Sequence, residues 1–376
     1  MKRIFVEPLD VLMFRSERPF IAIESIVAKM GIITPSIFEG ALKSKILFDY
    51  CQNFNFSPFE LQRSIDEEKN AFENRINELT KENQELKEIL EAIGHPTMRG
   101  KSQIIVRGIF FSKRDEYKEC FAMPRDIVNA NRDLVKLEPK EKIKNNIACG
   151  CKVHIALSRY LHVEDADGLM TFNELSKYLM GDIPERINKP YFIERRTGIG
   201  LKKEKQTEEG KIYTAEYIRL DKEWGFILWY EDQNNILPNE GLIRLGGEGK
   251  VAVYNKIDDK TLDFSSLIKK LNEEGKFKLY LGTPSSFDEG WQPPSNLIKS
   301  IMGVDDLELI SALPGKPVYI GGYDFAFNRE KPLKRWVNVG AVYYYKFKGE
   351  IKTDVQIPIK ILDDNIDMRC GFIGRW

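Results

Sequence analysis

The chain has 376 residues, 42% hydrophobic and 30% charged, and its 57 basic and 57 acidic side chains give a formal net charge of zero. That composition is globular and excludes a disordered chain, no run reaches the roughly 20 apolar residues of a membrane-spanning helix, and overall basicity is excluded as a means of holding nucleic acid. The length exceeds one ordinary core, so two domains are expected.

Charge is segregated all the same. Residues 60–93 hold ten acidic side chains against five basic ones, which leaves the rest of the chain net positive and able to form basic patches. The five cysteines, Cys51, Cys120, Cys149, Cys151 and Cys370, are odd in number and irregularly spaced, which argues against a disulfide framework and for a reducing compartment. The opening Met1-Lys2-Arg3-Ile4-Phe5-Val6 breaks at Glu7-Pro8 before a signal-peptide core develops, so a cytoplasmic protein with no membrane association is expected.

In chain order, Lys2 to Val6 reads as a strand. Val11 to Phe14 is a second apolar stretch, ending in the charged turn Arg15-Ser16-Glu17-Arg18-Pro19. Thr34-Pro35-Ser36 is a helix start, and Ile37, Ala41, Leu42, Ile46 and Leu47 at helical spacing predict a helix from about Ser36 to Tyr50. Residues 60–93 then follow a heptad: Ile65, Phe72, Leu79, Leu86 and Ile93 recur every seventh position, with Lys69, Ile76, Asn83 and Leu90 between them. This predicts one long helix, stopped by Gly94-His95-Pro96 and bounded by breakers as a removable insertion would be; its seam faces either this chain or a partner helix.

Residues 104–111 read as a strand, and 129–148, rich in Lys, Glu and Asn, as a polar connector. Phe172 to Met180 is a short helix; Thr214 to Arg219 and Phe226 to Tyr230 are strands. Further strands are predicted at Leu242 to Leu245, Val251 to Tyr254, Lys278 to Leu281, Val318 to Ile320, Ala341 to Phe347 and Val355 to Ile361, with a helix from Asp263 to Leu271. Helices and strands mix without regular alternation, so the predicted class is α+β with mainly antiparallel sheets.

Three motifs carry chemistry. In Arg244-Leu245-Gly246-Gly247-Glu248-Gly249-Lys250, three glycines within four residues permit positive φ and close backbone approach to a phosphate, with Arg244 and Lys250 adding charge; the plain alternative is a tight turn. Glu194-Arg195-Arg196-Thr197-Gly198-Ile199-Gly200-Leu201 could clamp phosphates, with Tyr213 available to stack on a base, or could be a solvated hairpin. Lys331-Pro332-Leu333-Lys334-Arg335-Trp336 and the terminal Gly371-Phe372-Ile373-Gly374-Arg375-Trp376 interleave cations with aromatic rings, a pattern suited to single-stranded RNA or to ordinary surface.

The opening Glu7-Pro8-Leu9-Asp10-Val11-Leu12-Met13-Phe14-Arg15-Ser16-Glu17-Arg18-Pro19-Phe20, the Arg-Thr-Gly-Ile-Gly-Leu block, the glycine-rich loop and the Lys-Pro-Leu-Lys-Arg-Trp block occur in an order that resembles the third-subunit family of Cmr complexes. These are RAMP-superfamily proteins of type III-B CRISPR effectors, and the resemblance spans nearly the whole chain. It implies two ferredoxin-like (RRM-like) domains, here placed at 1–235 and 236–376, with residues 60–93 as a helical insertion. It further implies binding of the CRISPR RNA 5′ tag between a large polymerase-like subunit and a backbone RAMP subunit, in antiviral defence and with no cofactor. Matching positions put RNA contacts at Arg15, Arg18, Lys43, Lys45, Arg195, Arg196, Thr197, Gly246, Gly247, Gly249 and Lys250.

Some RAMP proteins cleave CRISPR RNA with a histidine base. Here His95 sits at a helix stop, and His154 and His162 flank Ile155-Ala156-Leu157, none beside an obvious acid–base partner. The expectation is therefore a non-catalytic protein, the rivals being a processing endoribonuclease and a scaffold with little RNA contact. Cys149, Cys151, His154 and His162 could together ligate zinc, but Cys-x-Cys departs from the usual spacing, and no metal is expected.

Overall fold

A computed structural model describes residues 1–14, 27–28, 31–97, 102–131, 133–144, 153–156, 162–201 and 207–376. It is a mixed α and β structure whose sheets are mostly antiparallel, as the sequence predicts. Two compact units interleave along the chain: Met1–Ile109, Tyr191–Lys260 and Tyr319–Lys334 form one, and Phe110–Pro190, Thr261–Val318 and Arg335–Trp376 the other. The expected boundary after residue 235 therefore falls inside a stretch of the first unit.

In the first unit the opening strand Lys2–Pro8 lies antiparallel between Trp224–Asp232 and Val251–Ile257, with Phe5 opposite Ile227 and Val6 opposite Tyr254. Glu240–Arg244 continues the sheet beyond Val251–Ile257. Buried on both faces, Trp224–Asp232 is an almost unbroken apolar run, as a central strand must be. The helix Pro35–Asn53 begins with proline at its first turn, where the missing N–H costs nothing, and buries Phe38, Leu42, Ile46 and Leu47. Phe38 meets Phe226 edge-on at 5.3 Å between ring centroids.

The long helix predicted over 60–93 is instead a 3-10 turn, Pro58–Leu61, and two helices, Lys69–Glu82 and Gln84–Ile93. Asn83 breaks it. Its backbone leaves the helical region (φ −130°, ψ 96°), and its side-chain oxygen accepts from the Leu86 N–H at 2.9 Å, capping the second helix while its amide donates to the Tyr50 hydroxyl at 2.8 Å. The heptad seam packs within its own unit. Phe72, Ile76, Leu86 and Leu90 form a core with Leu47, Tyr50 and Cys51, joined by Phe325 and Phe327, whereas Ile65 is exposed.

Also in this unit, Tyr191–Leu201 and Thr207–Leu220 form a long antiparallel hairpin, and Val27–Ala28 adds a short parallel pairing at Thr214 and Ala215.

In the second unit Lys276–Leu281 is central, antiparallel to Val342–Lys348 and Asp367–Gly374; Asp306–Leu313 and Ile359–Leu362 lie outside these. The helix Phe172–Met180 has the bounds predicted for it, capped by Thr171 and ended by Gly181 at φ 110°. The stretch expected to be a polar connector holds strands Ile127–Ala130, Asp133–Lys136 and Glu138–Lys144. Val128 and Ala130 are buried and Asn131 turns the chain at φ 51°, so a short buried edge overrides the polar composition. The terminal aromatic block is core rather than surface: Phe372 and Ile373 are fully buried, and Arg375 pairs with Glu274 at 2.5 Å.

This core also holds a polar knot. Asp126 accepts from the hydroxyls of Tyr178 and Tyr344, each at 2.7 Å, and Lys278 lies 3.8 Å from the same carboxylate, both residues fully buried. Lys278 Nζ has no hydrogen-bond partner among the described residues and sits 3.2 Å from the centroid of the Tyr178 ring. Burial pushes its pKa down to about 7.

Candidate nucleic-acid interface

Three sequence-distant segments of the first unit meet at one point: the end of the opening strand, the hairpin, and the glycine-rich loop. Strand alternation decides which hairpin side chains arrive there. Glu194 and Arg196 share one face of Tyr191–Leu201; Tyr217 and Arg219, on the paired strand, complete it. Glu194 accepts from Arg196 Nε at 2.7 Å and from Arg219 Nε at 2.5 Å. Those hydrogen bonds, Arg219 first and then Arg196, hold the Glu194 carboxyl down at about 2.

Asp10 joins the three cations. Its carboxylate lies 3.4 Å from Arg219, 3.7 Å from Lys250 and 4.0 Å from Arg196. Its pKa is lowered, chiefly by the Val11 backbone N–H and then by Lys250, Arg196 and Arg219. The Tyr217 ring underlies the set, with Arg196 Cζ 5.0 Å and Lys250 Nζ 5.3 Å from its centroid and its hydroxyl donating to Glu248 at 2.5 Å. Arg196 and Arg219 remain about two-fifths exposed. A guanidinium held flat by a carboxylate and an aromatic face is preorganised, and an incoming phosphate can replace the carboxylate without reorganising the arginine.

The loop's shape has a clear cause. Gly246 adopts φ 78°, and a Cβ there would collide with the Met13 carbonyl oxygen. The Gly247 N–H donates to that same carbonyl at 2.7 Å, so this amide serves the fold and is not presented to a ligand. Gly249, at φ 62°, has nothing within 4 Å of a Cβ position. Lys250 closes the turn by accepting from the Leu245 N–H at 2.8 Å and projects its ammonium to Asp10.

Of the residues expected to contact RNA, Arg196 and Lys250 are brought together, with Gly246, Gly247 and Gly249 shaping the loop beside them. Arg195 and Thr197 lie on the opposite face of the strand, Arg195 paired with Glu216 at 3.0 Å. Lys43 and Lys45 bind carboxylates of their own helix, Glu39 at 2.7 Å and Asp49 at 2.6 Å, and no hydrogen bond or ion pair among the described residues links them to the cluster. Arg15, Arg18, Cys149 and Cys151 lie outside the described residues, as does the side chain of His154.

Asp10, Glu194, Tyr217, Arg219 and Glu248 were not foreseen as site residues. The one signal available was period-two spacing, Glu194-x-Arg196 and Tyr217-x-Arg219, which puts alternate side chains on one face once the strands pair. His95 is buried, with Nδ1 accepting from the Thr97 N–H at 3.3 Å, and belongs to no acid–base pair among the described residues.

The chain is similar to a chain in the cryo-EM structure of the type III-B Cmr-beta bound to cognate target RNA, at 18% identity and a TM-score of 0.47, over 91% of this chain and 86% of that one. It is also similar to a chain in the crystal structure of the Csm3–Csm4 subcomplex of the type III-A CRISPR–Cas interference complex, at 13% identity and a TM-score of 0.35, over 100% and 99%. No curated protein sequence matches it. The motifs that bear the resemblance run from Glu7 to Trp336, and the family model described as CRISPR-associated protein (Cas_Cmr3) spans all of them, matching residues 4–369; the chain belongs to that family.

Proposed function

We propose that this chain is a non-catalytic RNA-binding subunit of a type III-B CRISPR effector complex. It holds the CRISPR RNA 5′ tag and bridges a large polymerase-like subunit to the backbone subunits, and each unit is an elaborated ferredoxin-like domain. Besides the family, one observation carries the reading: three of the four motifs typical of the resemblance converge on Asp10, Arg196 and Lys250. Convergence of distant segments on exposed, preordered cations is what a phosphate clamp requires.

The same cluster supports a binding role over cleavage. Arg196 and Arg219, their pKa values raised by Glu194, stay protonated and Glu194, held at about 2, stays ionised, so none of these three groups exchanges a proton near neutral pH. Incubating the purified chain with repeat RNA in the absence of metal tests this. The RNA remains intact on the present reading; cutting that His154→Ala or His162→Ala abolishes would establish the endonuclease instead.

A further inference from the structure

The Lys331–Trp336 block, which the cluster above does not include, ends in the second unit beside a cavity of about 280 Å³. Trp291, Trp336, Pro314 and Pro317 line it, with Arg335 at its edge. Trp291 is held from behind. Tyr343 stacks parallel to Trp291, at 6.4 Å and 6°, and donates its hydroxyl to the Trp291 carbonyl at 2.6 Å. Val337, next after Trp336, pairs with Ser285 through backbone hydrogen bonds of 2.7 and 3.0 Å.

Arg335 and Lys316, the latter set between lining residues Gly315 and Pro317, form no ion pair among the described residues.

We propose that this cavity takes one unpaired base of a single-stranded RNA. The inference rests on the RNA-binding reading above and adds to it a second contact point on the other unit. Flat apolar walls suit the faces of a base. The volume lies just below the usual range for ligand pockets, about 300–1,000 Å³, so it suits a base alone, with sugar and phosphate left outside beside the exposed Arg335 and Lys316. A purely apolar occupant, such as a proline side chain, would leave the exposed Arg335 and Lys316 unused.

The test titrates the full chain and its Trp336→Phe and Trp336→Ala variants with fluorescent single-stranded RNA of the repeat-derived 5′ tag. The same RNA carrying one abasic nucleotide at successive positions is measured alongside. One abasic position is expected to weaken wild-type binding about fivefold or more, the ordinary size of a lost base–aromatic stack. Trp336→Ala should show that loss with intact RNA and no further loss at that position. Trp336→Phe, which keeps a smaller ring, should show a smaller loss that also vanishes there, and it serves alone if the alanine variant fails to fold. Losses that add in full at every position, or no position-dependent loss, overturn the pocket while tag binding by the wild type leaves the broader reading standing. Absence of any wild-type RNA binding overturns both. Binding of adenosine monophosphate or a proline-rich peptide that requires Trp336, with no abasic position coupled to it, assigns the cavity to that ligand and overturns the RNA base.

Discussion

The carboxylate of Asp10, just past the opening strand, lies 3.7 Å from the ammonium of Lys250, which closes the glycine-rich loop. This contact ties two distant motifs together, and on the function proposed above an RNA phosphate would take over its cation. The loop is built for that placement: Gly246 and Gly247 lock onto the Met13 carbonyl, three residues beyond Asp10, and Lys250 follows at a fixed distance.

The two glycines with positive φ should therefore differ on substitution. Gly246→Ala adds a backbone collision to the conformational strain of a left-handed residue, whereas Gly249→Ala meets open space and incurs only the strain, about 1–2 kcal/mol. Denaturant unfolding should show a clearly larger loss for Gly246→Ala; equal losses would contradict the role of the Met13 carbonyl.

Asn83 should matter more than a polar residue in a heptad seam ordinarily does. Asn83→Ala removes both the cap on Leu86 and the bond to Tyr50, a cost of about 1–3 kcal/mol in unfolding free energy that a lowered urea midpoint would report. Deleting residues 60–93 would strip cover from Leu47, Tyr50 and Cys51, and the truncated chain should lose its cooperative melt, contrary to the expectation of a removable insertion. A variant that melts like the full chain would contradict this packing.

Lys278 gives the second unit a pH dependence. Its pKa is lowered from 10.5 to about 7, so between those values the unfolded chain holds a proton that the folded chain does not. Stability on this account rises as pH increases through that window, and below about 7 the cost of burying the ammonium is fully present. The melting temperature measured from pH 7 to 9.5 should climb in the wild type and lose that slope in Lys278→Met. An identical slope in the variant would show that another group sets it.

The sequence made much of the frame legible. The Thr34-Pro35-Ser36 start and helical spacing located the helix Pro35–Asn53, the short helix Phe172–Met180 was legible too, and apolar runs located the central strands Lys2–Pro8, Trp224–Asp232 and Lys276–Leu281. It misled where two signals competed: the heptad over 60–93 hid the competing tendency of Asn83 to cap, and the lysine-rich stretch after Ile127 hid a strand whose buried residues are few. In the site, neighbouring arginines looked equivalent. Strand pairing separates them, turning Arg196 toward Asp10 and Arg195 toward Glu216, and the choice between faces depends on the long-range contacts of Asp10 and Lys250.

The most direct measurement is tag-RNA affinity as a function of salt for the wild type, Arg196→Ala, Lys250→Ala and Asp10→Asn, each shown to be folded. If the cluster clamps phosphate, each cation removed should weaken binding and lower the salt slope by about 0.7, the value for one phosphate contact on a single strand. Asp10→Asn should act in the opposite direction, tightening binding by freeing Arg196, Arg219 and Lys250 from a competing carboxylate. Unchanged affinity and slope in all three variants would make the cluster a structural ion-pair network and contradict its assignment to RNA.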